Sequence, residues 1–386
     1  MAETAPLTDI PAAPVPAGAS ARWITGAGGA KLRAALFPAQ GTPRGSVVLS
    51  GGRTEPIEKY FEVIEDLTGR GFVVLAHDWR GQGLSHRALP DRLKGHADGY
   101  DEFLADFDIL LSTFEAELPK PWLAVGHSMG GCLTLLALAH GQASRFAAAV
   151  LSAPMLGVKV GRYPRAVGLM VAANRLLGRG GGYVLGDPGK PFDDSFDGNV
   201  LTHDRTRFAR ARAQIAANRD LALGSPTWSW LHFALKARDE FVRPGALDGV
   251  TIPVVICQAE QEKLVDNAAQ DEVARRLPDG RLVVVKGALH EILMETDERR
   301  AVFFAEFDAL ADRHAPRAAA PKAARKPATP KAAAAGADAP KPAAKARPAA
   351  SKAAAAGAAK TKPASGAATP KTAAPRTRKK PTSPNA

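Results

Sequence analysis

The strongest constraint on the fold is a cluster of glycines around Ser128, placed between an apolar run and a helical one. Residues 122–125 read Trp-Leu-Ala-Val, residues 126–131 follow as Gly-His-Ser-Met-Gly-Gly, and residues 132–140 are strongly helical. A G-x-S-x-G pattern between a strand and a helix is typical of the nucleophile elbow, a strained turn that lifts a serine hydroxyl above a sheet. Because strand, second glycine and helix are all present, the pattern favours a nucleophilic Ser128 over an incidental serine in a glycine-rich turn.

Short apolar runs bounded by Gly or Pro alternate with longer amphipathic stretches on both sides of this turn. The alternation predicts an α/β fold, a mostly parallel sheet flanked by helices. Residues 23–38, with their Gly-Ala-Gly-Gly turn, are expected to form an antiparallel hairpin at the sheet edge. Predicted strands cover residues 46–50, 72–77, 122–126, 147–152, 252–258 and 281–285, and predicted helices cover 57–69, 101–117, 129–140 and 297–313.

The alternation is interrupted once, which suggests how the chain is divided. After Pro154 it stops for a stretch that is too long for a plain connection, and this stretch is interpreted as a mostly helical insertion. One core domain with a cap then accounts for the folded part. We expect a flexible N-terminus (1–20), a first core part (21–155), a helical cap insertion (156–248), a second core part (249–314) and a basic tail (315–386).

The net charge of +12 belongs to the tail. Residues 315–386 contain 16 Lys or Arg and one acid, a charge of +15, which leaves 35 basic and 38 acidic residues before them. The tail has no Leu, Ile, Val, Phe, Trp, Tyr or Met, so it is predicted to be disordered. Such a tail can bind nucleic acid, polyphosphate or an anionic membrane by charge alone. The alternative is a solvated tail that aids solubility.

Other features of the sequence argue against several kinds of site. Cys132 and Cys257 lie in apolar stretches without metal or redox spacing, so buried free thiols are expected. No metal or organic cofactor is implied. Neither a signal peptide nor a run of eighteen apolar residues is present. We therefore expect a cytoplasmic protein without a transmembrane segment, with peripheral membrane contact left open; the oligomeric state is not indicated.

A serine hydroxyl becomes a good nucleophile only when a histidine accepts its proton and a carboxylate orients that histidine. With the nucleophile-elbow order of Ser, acid and His, His290 is the candidate base because it directly follows the last predicted strand. The acid is expected in the loop after the preceding strand, where Glu260, Glu262 and Asp266 compete.

Five stretches carry a resemblance to a known family. The region 46–313 is similar to the lysophospholipase and monoacylglycerol-lipase branch of the α/β-hydrolases, also described as serine aminopeptidase-like, and most closely to the bacterial lysophospholipase L2 type. The resemblance implies an α/β-hydrolase fold and a serine esterase. The stretches are Gly-Arg-Thr-Glu at 52–55 with Lys-Tyr at 59–60, Asp-Trp-Arg-Gly-Gln-Gly-Leu-Ser at 78–85, and residues 126–131, 258–267 and 286–293.

The resemblance also implies roles for individual residues. The family's acid stands four residues before a second Asp, which puts the acid at Glu262 and leaves Asp266 as the alternative, with a helix N-cap as its other role. An oxyanion needs two amide donors. These are the amide of Met129, directly after the nucleophile, and the amide of Arg53, where Gly51-Gly52 replaces the family's His-Gly pair.

Two questions stay open at this level. The Arg53 side chain is expected either to meet a phosphate or carboxylate, or to form a salt bridge with Glu55 or Glu58. The substrate is expected to be a lysophospholipid or a monoacylglycerol, cleaved through an acyl-enzyme. Alternatives are a thioesterase, a small-ester carboxylesterase, an aminopeptidase-like hydrolase, or a scaffold tethered by its basic tail. Aromatic residues of the insertion, including Trp228, Trp230 and Phe233, suggest an acyl-chain channel or, for Trp228 above all, the core of the cap.

Overall fold

One eight-stranded sheet organises the computed structural model, which describes residues 3–161 and 163–317. The strands are β1 (Ser20–Thr25), β2 (Lys31–Phe37), β3 (Gly45–Ser50), β4 (Phe72–His77), β5 (Trp122–His127), β6 (Ala148–Ser152), β7 (Val254–Ala259) and β8 (Gly280–Val285). Their order is β1-β2-β4-β3-β5-β6-β7-β8. From β4 to β8 the neighbouring strands pair in parallel, whereas β1 and β2 form the predicted antiparallel hairpin. The predicted α/β class is confirmed.

The apolar composition of the central strands explains their position in the middle of the sheet. All residues of β3, β5, β6 and β7 are buried, which is expected for parallel strands covered on both faces. Because each of these strands is a continuous apolar run between Gly, Pro or polar residues, the sequence placed their ends within two residues.

Helices cover both faces of the sheet. They are α1 (Phe61–Gly69), α2 (Asp101–Phe114), α3 (Ser128–Ala139), α4 (Pro164–Leu176), α5 (Arg205–Ala217), α6 (Trp228–Val242), α7 (Asn267–Arg276) and α8 (Asp297–His314). Residues of α2, α3, α6 and α7 share one apolar core with the sheet, and those of α1 and α8 share another. The predicted helix 57–69 begins as a 3₁₀ turn, and 101–117 ends as one.

Three of these helices, α4 to α6, lie between β6 and β7 and form the predicted helical insertion. Cys132 and Cys257 are buried and free. No helix in the described ranges is long and apolar enough to cross a membrane. The tail predicted over 315–386 lies outside the described residues from 318 onward.

The N-terminal segment, expected to be flexible, instead docks on a buried ion cluster. Arg33 on β2 is fully buried and bonds Glu58 and Asp78 at 2.7 Å each. The carbonyl of Pro6 accepts from Arg33, and the amide of Thr8 donates to Glu58. Leu7 and Val15 of the segment also pack against the apolar core. Sequence reasoning missed this docking because Pro-rich segments carry no periodic apolar signal and the contacts are made with distant residues.

Arg33→Met is expected to lower the free energy of unfolding by about 3–5 kcal/mol, because Glu58 and Asp78 would keep buried charges without a partner. Lys31→Met on the same strand is the control, since its pair with Glu3 is exposed and worth at most about 1 kcal/mol. Urea unfolding measures both variants. Equal losses would contradict the account of the cluster.

Candidate active site

The candidate nucleophile, Ser128, lies where β5 ends and α3 begins. It has a φ of +50°, a conformation that L-residues rarely adopt, and its side chain is buried beneath the insertion. The turn needs glycines because the helix start lies directly against β3. A Cβ on Gly130 would come within 2.2 Å of the Ser50 carbonyl oxygen and 2.3 Å of that of Gly51.

Gly130→Ala is therefore expected to move α3 away from β3 and to lower kcat by about 100-fold, the loss that a displacement near 1 Å can cause at a reacting centre. Gly168→Ala is the matched control, because Gly168 lies in α4 and a Cβ there meets nothing within 4 Å. Steady-state kinetics compares the two variants. A Gly130→Ala enzyme with wild-type kcat would show that the close approach is unimportant.

Three side chains form a continuous hydrogen-bonded chain at this turn. His290 Nε2 lies 2.9 Å from Ser128 Oγ, and His290 Nδ1 lies 2.7 Å from Glu262 Oε2. All three residues are buried. Since a carboxylate only accepts hydrogen bonds, His290 Nδ1 must donate, which leaves Nε2 to accept the serine proton.

The Glu262 carboxylate is held by its own loop. Its other oxygen, Oε1, accepts from the amides of Lys263, Leu264 and Val265. Burial alone would raise the pKa of Glu262, but hydrogen bonding and charge from His290, with the amides of Leu264 and Val265, lower it below its usual value. The carboxylate is thus charged and oriented toward the histidine.

The two competing acids have other partners. Asp266 is the N-cap of α7, where its Oδ1 accepts from the Ala268 amide at 3.0 Å. Glu260 accepts from the Gly287 amide at 2.8 Å. Neither makes a hydrogen bond to His290 among the described residues, so the structure brings only Glu262 to the base.

Two backbone amides, those of Met129 and Arg53, are the predicted donors to an oxyanion. The Met129 amide is in the first turn of α3, where amides have no partner within the helix and the helix dipole favours negative charge. In the loop after β3, Gly52 donates to Glu55 and Thr54 donates to Gln82. Among the described residues, the Arg53 amide between them has no acceptor. That amide is thus available to donate to a bound group.

A buried ionic network supports that loop, and no pattern in the sequence predicted it. Lys59 Nζ bonds Glu55 at 2.8 Å and Glu291 at 2.5 Å, and Tyr60 donates to Glu55. Burial would raise the pKa of Glu55, but the His127 ring, the Lys59 ammonium and the hydrogen bonds lower it to about 2. Because Glu291 follows His290, the network ties the loop after β3 to the segment that carries the candidate base.

Ser128 and His290 open into a cavity of about 470 Å³, a size typical of ligand sites. Its lining is mostly apolar, and includes Met155, Val158, Val160, Val167, Val184, Leu185, Leu201, Trp230, Leu231, Leu264 and Val265. Residues of α4, α6 and their connection form much of this wall. Trp230 thus faces the cavity, whereas the nearby Phe233 packs on Phe103 in the core.

Comparison with known proteins decides the family. Residues 41–297 match the family described as serine aminopeptidase, S33. The chain belongs to this family. Lysophospholipase L2 of Escherichia coli K12 is 35% identical over 292 residues, which cover 72% of this chain and 83% of the relative. The monoacylglycerol lipase of Mycolicibacterium smegmatis is 25% identical, covering 72% of this chain and 91% of the relative.

A solved structure shares the fold. A soluble variant of monoglyceride lipase from Saccharomyces cerevisiae, in complex with a substrate analogue, superposes with a TM-score of 0.61 at 21% identity, covering 80% of this chain and 99% of the other. This S33 family member is thus a lipase-like serine hydrolase of carboxylic esters with an α/β-hydrolase fold, as its sequence predicted.

Proposed function

We propose that the enzyme removes the acyl chain from single-chain glycerolipids, with lysophospholipids as the first substrate class and monoacylglycerols as the second. The observation that carries the proposal is the hydrogen-bonded chain from Ser128 through His290 to Glu262, which opens into an apolar cavity. The identity to a lysophospholipase at 35% supports the order of the two classes.

In the proposed reaction, Ser128 Oγ attacks the ester carbonyl carbon as its proton passes to His290 Nε2. The oxyanion accepts hydrogen bonds from the amides of Met129 and Arg53. Collapse breaks the bond to the leaving alcohol, whose oxygen takes the proton from His290. Water then repeats the sequence on the acyl-enzyme, with His290 as base, and releases the fatty acid. Glu262 stays charged throughout and stabilises the imidazolium.

Varying the acyl chain tests the substrate class. Esters of two to sixteen carbons, each with and without a phosphocholine head, are compared by kcat/KM. Each methylene that enters the apolar cavity is worth about 0.8 kcal/mol, so kcat/KM is expected to rise by roughly fourfold per carbon until the cavity is filled. A maximum at two carbons would overturn the lipid assignment, and faster cleavage of a matched thioester or aminoacyl amide would favour those alternative hydrolases.

We further propose that the enzyme is cytoplasmic and that residues 315–386 attach it there to an anionic surface or polymer. The tail's charge of +15 supports this proposal. Basic residues that neutralise phosphates release the counterions bound there, which favours binding and makes it sensitive to salt. Removal of residues 318–386 is expected to leave ester turnover unchanged and to abolish salt-sensitive binding to anionic vesicles or DNA. No binding by the full chain at low salt would reject the proposal.

A further inference from the structure

A second cavity, of about 280 Å³, adjoins the one that contains Ser128. The two share five lining residues, which are Arg53, Thr54, Leu201, Pro226 and Glu291. The shared wall includes Arg53 and Thr54 of the loop after β3, and the Arg53 amide is a proposed oxyanion donor. The two cavities therefore meet where the ester carbonyl is proposed to lie. An ester has two sides. With its acyl chain in the apolar cavity, its leaving group is directed toward the second.

The second cavity has a cationic lining. Arg53, Lys59, Lys190 and Arg212 contribute positive charges, and Glu291 is the one acid among its described lining residues. Glu291 is already bonded to Lys59. Lys190 is largely exposed and lies 3.6 Å from Asp193. Arg53 and Arg212 therefore leave an excess of positive charge facing this space.

Arg53 is half-buried and has no anionic partner among the described residues. Its Nη2 donates to the Gly224 carbonyl, its Cζ lies 5.4 Å from the centre of the Trp230 ring, and its Nε is buried without an acceptor. Among the described residues it forms no salt bridge, because Glu55 is taken by Lys59 and Glu58 by Arg33. The sequence alternative of an ion pair with either acid is thus wrong.

Electrostatics agrees with this geometry. Burial and the nearby Arg87 cation lower the pKa of Arg53 to about 10. Taking part of a guanidinium out of water without a counter-charge costs free energy, which a bound anion would recover. The contacts to Gly224 and Trp230 fix the position of the guanidinium but do not neutralise its charge.

We propose that the second cavity binds the phosphate of the leaving group, with the Arg53 guanidinium as its main ligand. The inference rests on the proposed function and deepens it: the Arg53 amide meets the oxyanion while its side chain selects glycerol phosphate over glycerol. A substrate with an anionic head then gains binding energy that a monoacylglycerol lacks.

The first test compares lysophosphatidic acid with the monoacylglycerol of the same chain, both below their micellar concentrations. Its readout is the ratio of the two kcat/KM values, which cancels any uniform damage to the oxyanion hole. Arg53→Met is expected to lower this ratio by roughly 10- to 100-fold, the range for a hydrogen bond to a charged group. Arg53→Lys is expected to retain part of the preference.

Arg44→Met is the matched control, because the Arg44 side chain is also buried and donates to the carbonyls of Ala311 and Ala315 but lines neither cavity. Its ratio is expected to equal that of the wild type. An equal ratio in Arg53→Met and wild type, or an equal fall in both variants, would overturn the proposal.

The second test uses the wild type alone and measures inhibition by small soluble compounds, beside its turnover of lysophospholipid. In the wild type, sn-glycerol 3-phosphate is expected to compete with a neutral p-nitrophenyl ester, whereas glycerol is not, and inorganic phosphate is expected to compete more weakly. Inhibition without lysophospholipid turnover would keep the anion site and refute the proposed substrate. Turnover without inhibition would refute the anion site alone. Equal inhibition by inorganic phosphate would indicate a free-anion site and overturn the leaving-group assignment.

Discussion

Ser128→Ala is expected to lower kcat by about a millionfold. The loss is this large because serine and histidine act as a unit, so that removing one is about as costly as removing the whole set in a well-studied serine hydrolase. Here Ser128 Oγ is 2.9 Å from His290 Nε2, and no other hydroxyl is within hydrogen-bond distance of that nitrogen among the described residues. Turnover of a chromogenic ester under saturating conditions measures the effect.

The control for this variant is Ser112→Ala. Ser112 is exposed on α2, and Arg145 is its one side-chain hydrogen-bond partner in the part of the chain that the structure describes. Its loss should therefore change neither kcat nor the unfolding temperature. Ser128→Ala should also unfold at or above the wild-type temperature, because within residues 3–161 and 163–317 the Ser128 side chain makes no hydrogen bond other than that with His290. Turnover by Ser128→Ala above about one per cent of wild type would mean that the reaction has another nucleophile.

Glu262→Ala is expected to lower kcat by about ten-thousandfold with little change in KM. Without the carboxylate, the His290 ring loses the partner that fixes its Nδ1 proton, and the imidazolium formed during attack loses its compensating charge. Glu262→Gln should lose nearly as much, because an amide nitrogen at Oε2 would favour the wrong histidine tautomer. Both variants are measured beside wild type at the same pH.

Asp266→Ala separates this role from that of its competitor. Asp266 caps α7, so its replacement should cost about 1 kcal/mol of stability and leave kcat within a few-fold of wild type. A larger kinetic loss in Asp266→Ala than in Glu262→Ala would transfer the role of acid to Asp266.

The fold and part of the site could be predicted because their signals are local. The run from Trp122 to the glycines after Ser128 specifies a strand, a tight turn and a helix within twenty residues. The hairpin at the sheet edge follows from its Gly-Ala-Gly-Gly turn, and His290 stands out because it follows the last apolar run.

The remainder depends on contacts between distant parts of the chain. Lys59 and Glu291 are 232 residues apart, and no pattern near either residue indicates their pairing. The docking of the N-terminal segment on Arg33 and Glu58 is of the same kind. For the Arg53 side chain, sequence reasoning offered two roles, and only the tertiary assignment of Glu55 and Glu58 to other cations decided against an ion pair.

Labelling by a fluorophosphonate, followed by peptide mass spectrometry, tests directly whether Ser128 is the nucleophile. We expect one phosphonyl group per wild-type chain, on the peptide that contains Ser128, and none on Ser128→Ala. We also expect much slower labelling of Glu262→Ala, because phosphonylation needs the same activated serine. Equal labelling of wild type and Ser128→Ala, or a group attached to a different residue, would contradict Ser128 as the nucleophile of this hydrolase.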